Sequence, residues 1–282
     1  VDEAWAEGLD AIAITDHIEN QPSKKFIGGD HNSSYEIALP TAKEKDIILI
    51  RGGEITRSMP PGHLNGLFLT DVNALDTPDP IDAIQAVADQ GGFILWNHPG
   101  WKAQQPDTCM WMDMHQQLYE KGLMHGIEVF NEKEWYPIVL DWCREKDLGV
   151  IGNSDIHGVN SHYYDVKTNY RPMTLVFATE RSEQAIKEAM FARRTIAWFD
   201  NKLAGDKDLV EQLVKALLQV KPKEKDSISI KNLSCIPFDL KDAEGRQHLV
   251  PGESEIIITS TGGIYQVTNV YIGSRENLSL KL

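Results

Sequence analysis

Four short polar segments of the sequence each follow an apolar run that predicts a β-strand, and each carries side chains that commonly bind metals. These side chains are Asp16 and His17, Glu54, His98, and Asp155 and His157. Residues two apart in a strand point to the same side, so the carboxylate of Asp155 and the imidazole of His157 can aim at one point. A carboxylate beside an imidazole is a common ligand pair for Zn, Mn or Fe. The repetition of this pattern predicts a metal site where the strands end.

The elements that would position these side chains alternate along the first 200 residues. Apolar runs of strand length are followed by segments of about ten residues with helical spacing, such as 80–90. This alternation predicts a parallel α/β sheet or barrel. In parallel β/α units, functional residues lie at the C-terminal ends of the strands. The acidic and imidazole groups occur at those ends, so the predicted fold and the predicted chemistry agree.

A different pattern begins after residue 205. The segment 208–220 has the spacing of one amphipathic helix, and short alternating runs follow it at 228–231, 237–240, 255–259 and 266–272. Such runs predict an antiparallel β module, a small sandwich. We therefore expect an α/β barrel in residues 1–205, followed by a linker helix and a β-sandwich-like domain in residues 206–282.

The composition limits the choice of partners. The chain of 282 residues has a formal net charge of −14, which argues against an extended grip on long nucleic acid or on an anionic membrane. A small anionic substrate is still compatible, because divalent metals reverse the field of a pocket. No apolar stretch has the length of a membrane span, and the three cysteines lack metal-type spacing. A homo-oligomer and either the cytoplasm or the periplasm stay open.

The histidines strengthen the prediction of a metal site. Four of the nine follow strand-like runs or lie in loops at strand ends, namely His17, His63, His98 and His157. A single histidine is more often a structural residue than a metal ligand. Here four of them coincide with Asp16, Glu54 and Asp155 at equivalent positions. This coincidence favours a metal site over separate structural roles.

Residues that could contact a substrate are less clearly marked. Glu128 and Asn131 end another strand-like run, and both lining the site and making structural hydrogen bonds are open for them. Arg194 is the best candidate for neutralising an anion, because it directly precedes a predicted strand. Trp101, three residues after His98, either lines a pocket or packs against its neighbours. We take Glu128, Asn131 and Arg194 as the substrate-binding candidates.

Together these segments resemble the PHP family of metal-dependent phosphoesterases, the superfamily named for polymerase-associated and histidinol-phosphate phosphatase domains. The matching segments are 14–17, 53–56, 62–63, 97–100, 126–129 and 153–157. They cover about residues 1–200 in order, and the layout with a trailing β module is closest to bacterial PHP-type phosphodiesterases. The resemblance implies a distorted (β/α)7 barrel that holds two or three divalent ions, Zn, Mn or Fe, at its strand ends.

The resemblance also implies a role for each ligand. Glu54 would bridge metals. His63 and His98 would complete one site, and His17 and His157 would hold a second site. Asp155 would be a ligand at the site that Glu54 shares. The family opens with a His-x-His strand that contributes two ligands, and this sequence begins after it. We therefore expect an incomplete ligand set at the shared site.

The chemistry of such a centre is hydrolysis. Divalent ions lower the pKa of a bound water and neutralise charge on phosphoryl oxygens. We therefore expect a small phosphoester to be cleaved by a metal-bound hydroxide in a di- or trinuclear site, with Asp16, His17 and Asp155 as catalytic residues. Asp16 would position the water or protonate the leaving oxygen. The resemblance alone favours a phosphodiester over a monoester.

Two other functions stay open. Barrels with His and Asp at their strand ends also serve amidohydrolases, so a metal-dependent hydrolase of an amide is one alternative. The other is a non-catalytic protein in which the module at 206–282 binds a partner or a surface glycan while the barrel acts as a scaffold.

Overall fold

Helices and strands alternate through the first part of the chain. The computed structural model describes residues 1–22, 24–165, 170–224, 226–259 and 263–282. Up to residue 205 the elements are α1 (Asp2–Ala6), β1 (Ala11–Ile14), α2 (Lys24–Ile27), α3 (Ser33–Glu44), β2 (Ile48–Thr56), β3 (His63–Leu67), α4 (Pro80–Asp89), β4 (Phe93–Trp96), α5 (Asp113–Glu120), β5 (Gly126–Asn131), β6 (Glu134–Trp135), α6 (Pro137–Lys146), β7 (Gly149–Asn153), β8 (Met173–Val176), α7 (Glu183–Phe191), β9 (Thr195–Phe199) and β10 (Lys202–Gly205). They are followed by α8 (Lys207–Leu217), β11 (Leu218–Lys223), β12 (Ser227–Asn232), β13 (Phe238–Lys241), β14 (Gln247–Val250), β15 (Glu255–Thr259), β16 (Ile264–Gly273) and β17 (Glu276–Lys281).

Capping and residue spacing explain the helices, as α4 illustrates. Its first turn is capped by Asp79, whose side chain accepts a hydrogen bond from the Ile81 N–H at 2.8 Å. Pro80 occupies the first helical position, where its missing N–H costs nothing. Ile84 and Val87, three residues apart, are fully buried on the face that packs against the sheet. The helix predicted in this segment is confirmed.

One sheet carries the strand ends of interest. In the described part of the chain its order is β1-β2-β3-β4-β5, and both β6 and β7 pair with β5. The pairs β1–β2, β4–β5 and β5–β7 are parallel, whereas β3 is antiparallel to both of its neighbours. The fold is therefore mixed α/β, and it differs at β3 from the parallel arrangement that the alternation predicts.

The short connection before β3 explains this difference. Only residues 57–62 join β2 to β3, and a crossover between parallel strands needs about a dozen residues or more. The chain must therefore turn back, and β3 starts where β2 ends. This reversal brings His63, the first residue of β3, to the edge of the sheet that carries Glu54.

A second sheet joins the end of the α/β part to the C-terminal strands. Its order is β14-β13-β16-β10-β9-β8, with β17 pairing with β16. Side chains of β9 alternate between two cores, because Ala197 and Phe199 pack in the first core and Ile196 packs with the C-terminal strands. In β10, Leu203 packs in the second core and Ala204 in the first. The β9–β10 hairpin is thus shared, and the domain boundary predicted directly after it stays a prediction.

Strands form in the C-terminal runs that the sequence pattern indicates, and in β13 buried and exposed side chains alternate. Val210 and Val214 of α8 are buried against these strands, and β11, β12 and β15 form a further antiparallel sheet. The helix ends at Leu217, three residues earlier than its pattern indicates, because the chain there enters β11. Among the described residues, no helix combines the length and the apolar character that crossing a lipid bilayer requires.

The substitution Leu203→Ala tests the shared hairpin. Leu203 is fully buried, and replacing such a leucine with alanine costs about 2–5 kcal/mol, because apolar contacts are lost and a cavity remains. We expect the free energy of unfolding, measured by urea denaturation, to fall by this amount. Leu249→Ala is the matched control, since Leu249 is 56% exposed and its loss should cost less than about 0.5 kcal/mol. Equal effects of the two substitutions would contradict the packing of β10 in the second core.

Candidate metal centre

Three strands deliver ligand side chains to one point. Glu54 lies in β2, His63 opens β3, and His98 follows β4 by two residues. One potential ligand atom from each of these side chains lies within 4.8 Å of the others. Glu54 Oε1 is 2.6 Å from His63 Nδ1, and His63 Nδ1 is 3.0 Å from His98 Nε2. The structure therefore brings together three of the residues that the strand-end pattern indicates.

His17 and His157 approach the second oxygen of Glu54. An isolated parallel bridge pairs the backbones of His17 and Glu54, and it places His17 Nδ1 3.0 Å from Glu54 Oε2. His17 Nε2 is in turn 3.1 Å from His157 Nε2. Asp155 links the two groups, because its carboxylate oxygens lie 3.6 Å from His98 Nδ1 and 3.6 Å from His157 Nδ1. All six predicted ligands thus lie in one continuous cluster.

The charge of Glu54 is held in a buried position. Its side chain is only 5% exposed. Burial by itself raises the pKa of Glu54. The close contacts with His17 and His63 outweigh this effect and lower the pKa to about 2. The contact with Glu54 raises the pKa of His17 against the effect of burial, whereas burial lowers the pKa of His98. The centre therefore combines a permanent carboxylate with imidazoles whose protonation depends on their contacts.

The donor atoms suit a divalent cation. Within the described residues, Glu54 Oε1 and His98 Nδ1 are buried without a hydrogen-bond partner, although His63 Nδ1 lies close to the former. A buried polar atom that lacks a hydrogen bond is unfavourable, and both atoms carry lone pairs that a metal ion can accept. Imidazole nitrogens and carboxylate oxygens are ligands of Zn, Mn and Fe. The residues present therefore fit the metal that the resemblance implies.

Glu128 lies directly behind His98 and is surrounded by N–H donors. Its Oε2 accepts hydrogen bonds from the His98 main-chain N–H at 2.6 Å and from Asn131 Nδ2 at 2.9 Å. Its Oε1 accepts a hydrogen bond from Asn153 Nδ2 at 2.8 Å. Burial raises the pKa of Glu128 to about 8, while the three donors favour its carboxylate form. These contacts support the structural hydrogen-bonding role that the sequence leaves open for Glu128 and Asn131.

The backbone of His98 explains why this support is needed. His98 has a φ of 27°, which lies in the left-handed region that residues with a side chain rarely adopt. Such a conformation costs about 1–3 kcal/mol and persists where surrounding contacts fix it. The hydrogen bond from the His98 N–H to Glu128 is one of these contacts.

Two polar residues that the sequence analysis does not assign to the site contact its histidines. Thr56 Oγ1 is 2.7 Å from His17 Nδ1. Gln104 Nε2 is 3.1 Å from His63 Nε2 and donates a hydrogen bond to the Arg57 carbonyl at 3.0 Å. Outer hydrogen bonds of this kind orient metal-binding imidazoles. Thr56 carries a weak sequence signal, since it lies two residues after the carboxylate of β2, but Gln104 lies in a loop that carries none.

Arg194 and Asp16 differ in their position relative to the cluster. The neighbouring Arg193 Nε binds Asp147 Oδ1 at 2.8 Å, and Asp147 lies just before β7, whereas the ligands follow β7. Arg194 itself directly precedes β9, and among the described residues its Nε is buried without a hydrogen-bond partner. Asp16 precedes His17, and its charge helps to raise the pKa of His17. The assigned roles of Arg194 in substrate binding and of Asp16 in catalysis stay predictions.

The fold and the site define an α/β protein with histidines and carboxylates gathered at strand ends around a candidate divalent-metal centre. The whole chain aligns with a solved two-domain protein from Bacteroides vulgatus ATCC 8482, which is described as containing a predicted PHP-like metal-dependent phosphoesterase. The TM-score is 0.95 at 38% sequence identity, and the alignment covers 100% of this chain and 88% of that one. The chain belongs to the PHP-like metal-dependent phosphoesterases, and the resemblance found in the sequence is confirmed.

Two further solved structures align with part of the chain. One, from Bifidobacterium adolescentis ATCC 15703, is described as a metal-dependent phosphoesterase, with 18% identity, a TM-score of 0.41, and coverage of 56% of this chain and 81% of that one. The other is an amidohydrolase from Chromobacterium violaceum, with 15% identity, a TM-score of 0.40, and coverage of 55% and 80%. The chain matches no protein-family model, and no curated protein matches it.

The substitution Glu128→Ala tests the support of His98. It removes the acceptor of two buried donors and one partly buried donor, and each unsatisfied buried donor costs about 1–3 kcal/mol. We expect the free energy of unfolding to fall by about 3 kcal/mol or more, and the affinity for Mn²⁺, measured by isothermal titration calorimetry, to fall about 10- to 100-fold. Glu145→Ala is the control, because Glu145 is an exposed glutamate on α6. A variant at Glu128 that behaved like this control would show that the network does not hold His98.

Proposed function

We propose that this chain hydrolyses small phosphate esters, and phosphodiesters in particular, at a centre of two or three divalent ions. The proposed ligands are His17, Glu54, His63, His98, Asp155 and His157. The observation that carries the proposal is the placement of the two oxygens of one buried carboxylate. Oε1 of Glu54 faces His63 and Oε2 faces His17, so each oxygen lies beside a different group of histidines. This arrangement supports a bridging role for Glu54 and therefore more than one ion.

The side chains of the centre differ in how far they are exposed to solvent. A divalent ion bound here would lower the pKa of a water and neutralise charge on phosphoryl oxygens. Glu54 is 5% exposed and forms the floor, whereas His157 is 53% exposed and lies on the solvent side. The ester would therefore approach past His157. Asp16, beside His17, is our candidate for orienting the attacking water or passing a proton to the leaving oxygen.

The choice of a small ester rests on charge. The chain has a net charge of −14, which disfavours long nucleic acid, because a polyanion needs basic contacts along its backbone. A small ester enters the cluster itself, where divalent ions would reverse the local field. The preference for a diester over a monoester rests on the family resemblance alone. Both kinds of ester are therefore tested.

The proposal extends to the architecture. A distorted (β/α)7 barrel in residues 1–205 and a small β-sandwich-like domain in residues 206–282 would account for the order of the elements. The reversed strand β3 is compatible with the distortion of such a barrel. The similar protein from Bacteroides vulgatus is described as having two domains, which supports the same division here.

Metal content and hydrolysis measured on the same samples test the function. We expect two or more Zn, Mn or Fe ions per wild-type chain by inductively coupled plasma mass spectrometry. We also expect hydrolysis of bis(p-nitrophenyl) phosphate or p-nitrophenyl phosphate, and none of a cyclic amide. Glu54→Gln and His98→Ala should each lose at least one ion and about 100-fold or more of the activity, since even outer contacts of metal ligands are worth 10–100-fold.

His248→Ala is the matched control for these variants. His248 contacts Asp242 at 3.2 Å in the C-terminal part of the chain, so its loss should leave metal content and hydrolysis unchanged. Unchanged metal content and unchanged activity in both Glu54→Gln and His98→Ala would overturn the proposal. Cleavage of the amide alone would replace it with amidohydrolase chemistry.

A further inference from the structure

Trp101 lies at the edge of the metal cluster and is partly open to solvent. It is 40% exposed, and the centroid of its indole ring is 5.5 Å from that of the His63 ring and 5.6 Å from that of the His98 ring. The planes of the indole and the two imidazoles meet at 53° and 77°. Neither imidazole therefore lies flat over the indole, which leaves indole surface available beside the candidate ligands.

The backbone holds Trp101 firmly in this position. Its N–H donates to the His98 carbonyl at 2.9 Å, and its own carbonyl accepts hydrogen bonds from the N–H groups of Gln104 at 2.9 Å and Gln105 at 2.8 Å. The preceding Gly100 packs so closely that a Cβ there would come within 2.6 Å of the Tyr136 ring. The backbone that carries the indole is therefore held in place, and it belongs to the same loop as His98.

Other tryptophans of the chain have evident packing roles. Trp96 is fully buried and stacks on His115, with a centroid distance of 3.8 Å and an interplanar angle of 21°. Trp5 is exposed, but it belongs to α1 and lies under the ammonium group of Lys45 at 4.6 Å. Trp101 combines exposure with direct contact with two candidate metal ligands. A rigid aromatic side chain in such a place offers a large contact area at a low cost in conformational entropy.

We propose that Trp101 is a binding platform for a planar ring carried by the substrate, so that the preferred substrates are phosphoesters with an aromatic group. This inference rests on the proposed function, because the platform needs a phosphoryl group held by the neighbouring cluster. An aromatic ring joined to phosphorus through a single ester oxygen stays within reach of an indole that touches the ligand imidazoles. Stacking between aromatic rings is worth enough to set a preference among esters.

Binding of phosphonates tests the platform without relying on turnover. Phenylphosphonate, cyclohexylphosphonate and methylphosphonate share one anionic group that is not hydrolysed, and they differ only in the attached group. We expect protein loaded with Mn²⁺ to bind phenylphosphonate about tenfold more tightly than the other two by isothermal titration calorimetry. Trp101→Ala should abolish this preference while keeping the affinity for methylphosphonate. Trp101→Phe should retain most of it.

Trp5→Ala is the matched control, an exposed tryptophan outside the cluster, and it should bind all three phosphonates as the wild type does. Equal binding of phenylphosphonate and cyclohexylphosphonate would overturn the inference, because plain apolar contact would then suffice. A preference that survives in Trp101→Ala would also overturn it. If the wild type bound none of the three phosphonates, both the proposed function and the role of Trp101 would be contradicted. If it bound all three with equal affinity, only the role of Trp101 would be contradicted.

Discussion

A carboxylate buried among imidazoles is the constraint on which this structure depends. Glu54 keeps its charge inside the protein because His17 and His63 contact its two oxygens, and without such partners a buried charge would be very costly. The strands must therefore approach closely around it. A Cβ on Gly53, its neighbour in β2, would come within 2.7 Å of Val72, and a Cβ on the facing Gly66 of β3 would come within 2.5 Å of Val87. The absent side chains let the β2–β3 pair lie tightly under the helical layer.

Much of the candidate site could be predicted from the sequence, because the residues that the structure brings together obey a simple rule. His17, His98 and Asp155 follow apolar strand runs directly, and the C-terminal ends of neighbouring strands meet at one edge. His63 obeys the rule in reverse, as it begins a strand that starts at that same edge. The direction of β3 could not be predicted from periodicity, because parallel and antiparallel strands share the same two-residue alternation. The length of the connection at 57–62 does contain that information.

The supporting residues were harder to predict. Gln104 reaches His63 from a loop, and its position depends on how the segment after His98 folds back, which no periodic pattern encodes. Glu128, which the sequence pattern places at a strand end, lies inside β5, and its three N–H neighbours indicate a supporting role for it. Arg194 directly precedes β9, and its role in substrate binding stays a prediction. Composition and spacing therefore locate the clustered histidines and carboxylates better than they locate the polar groups that contact them.

The hairpin formed by β9 and β10 has a consequence for motion. Proteins made of two parts often open and close around a ligand by bending at a hinge between them. Here Ile196 and Leu203 are packed in one core while Ala197 and Phe199 are packed in the other, and β10 is also hydrogen-bonded to β16. A rigid-body rotation would have to break this ladder and pull side chains out of a close-packed interior. Any opening at the centre must then be local, on the side where the His157 side chain is 53% exposed.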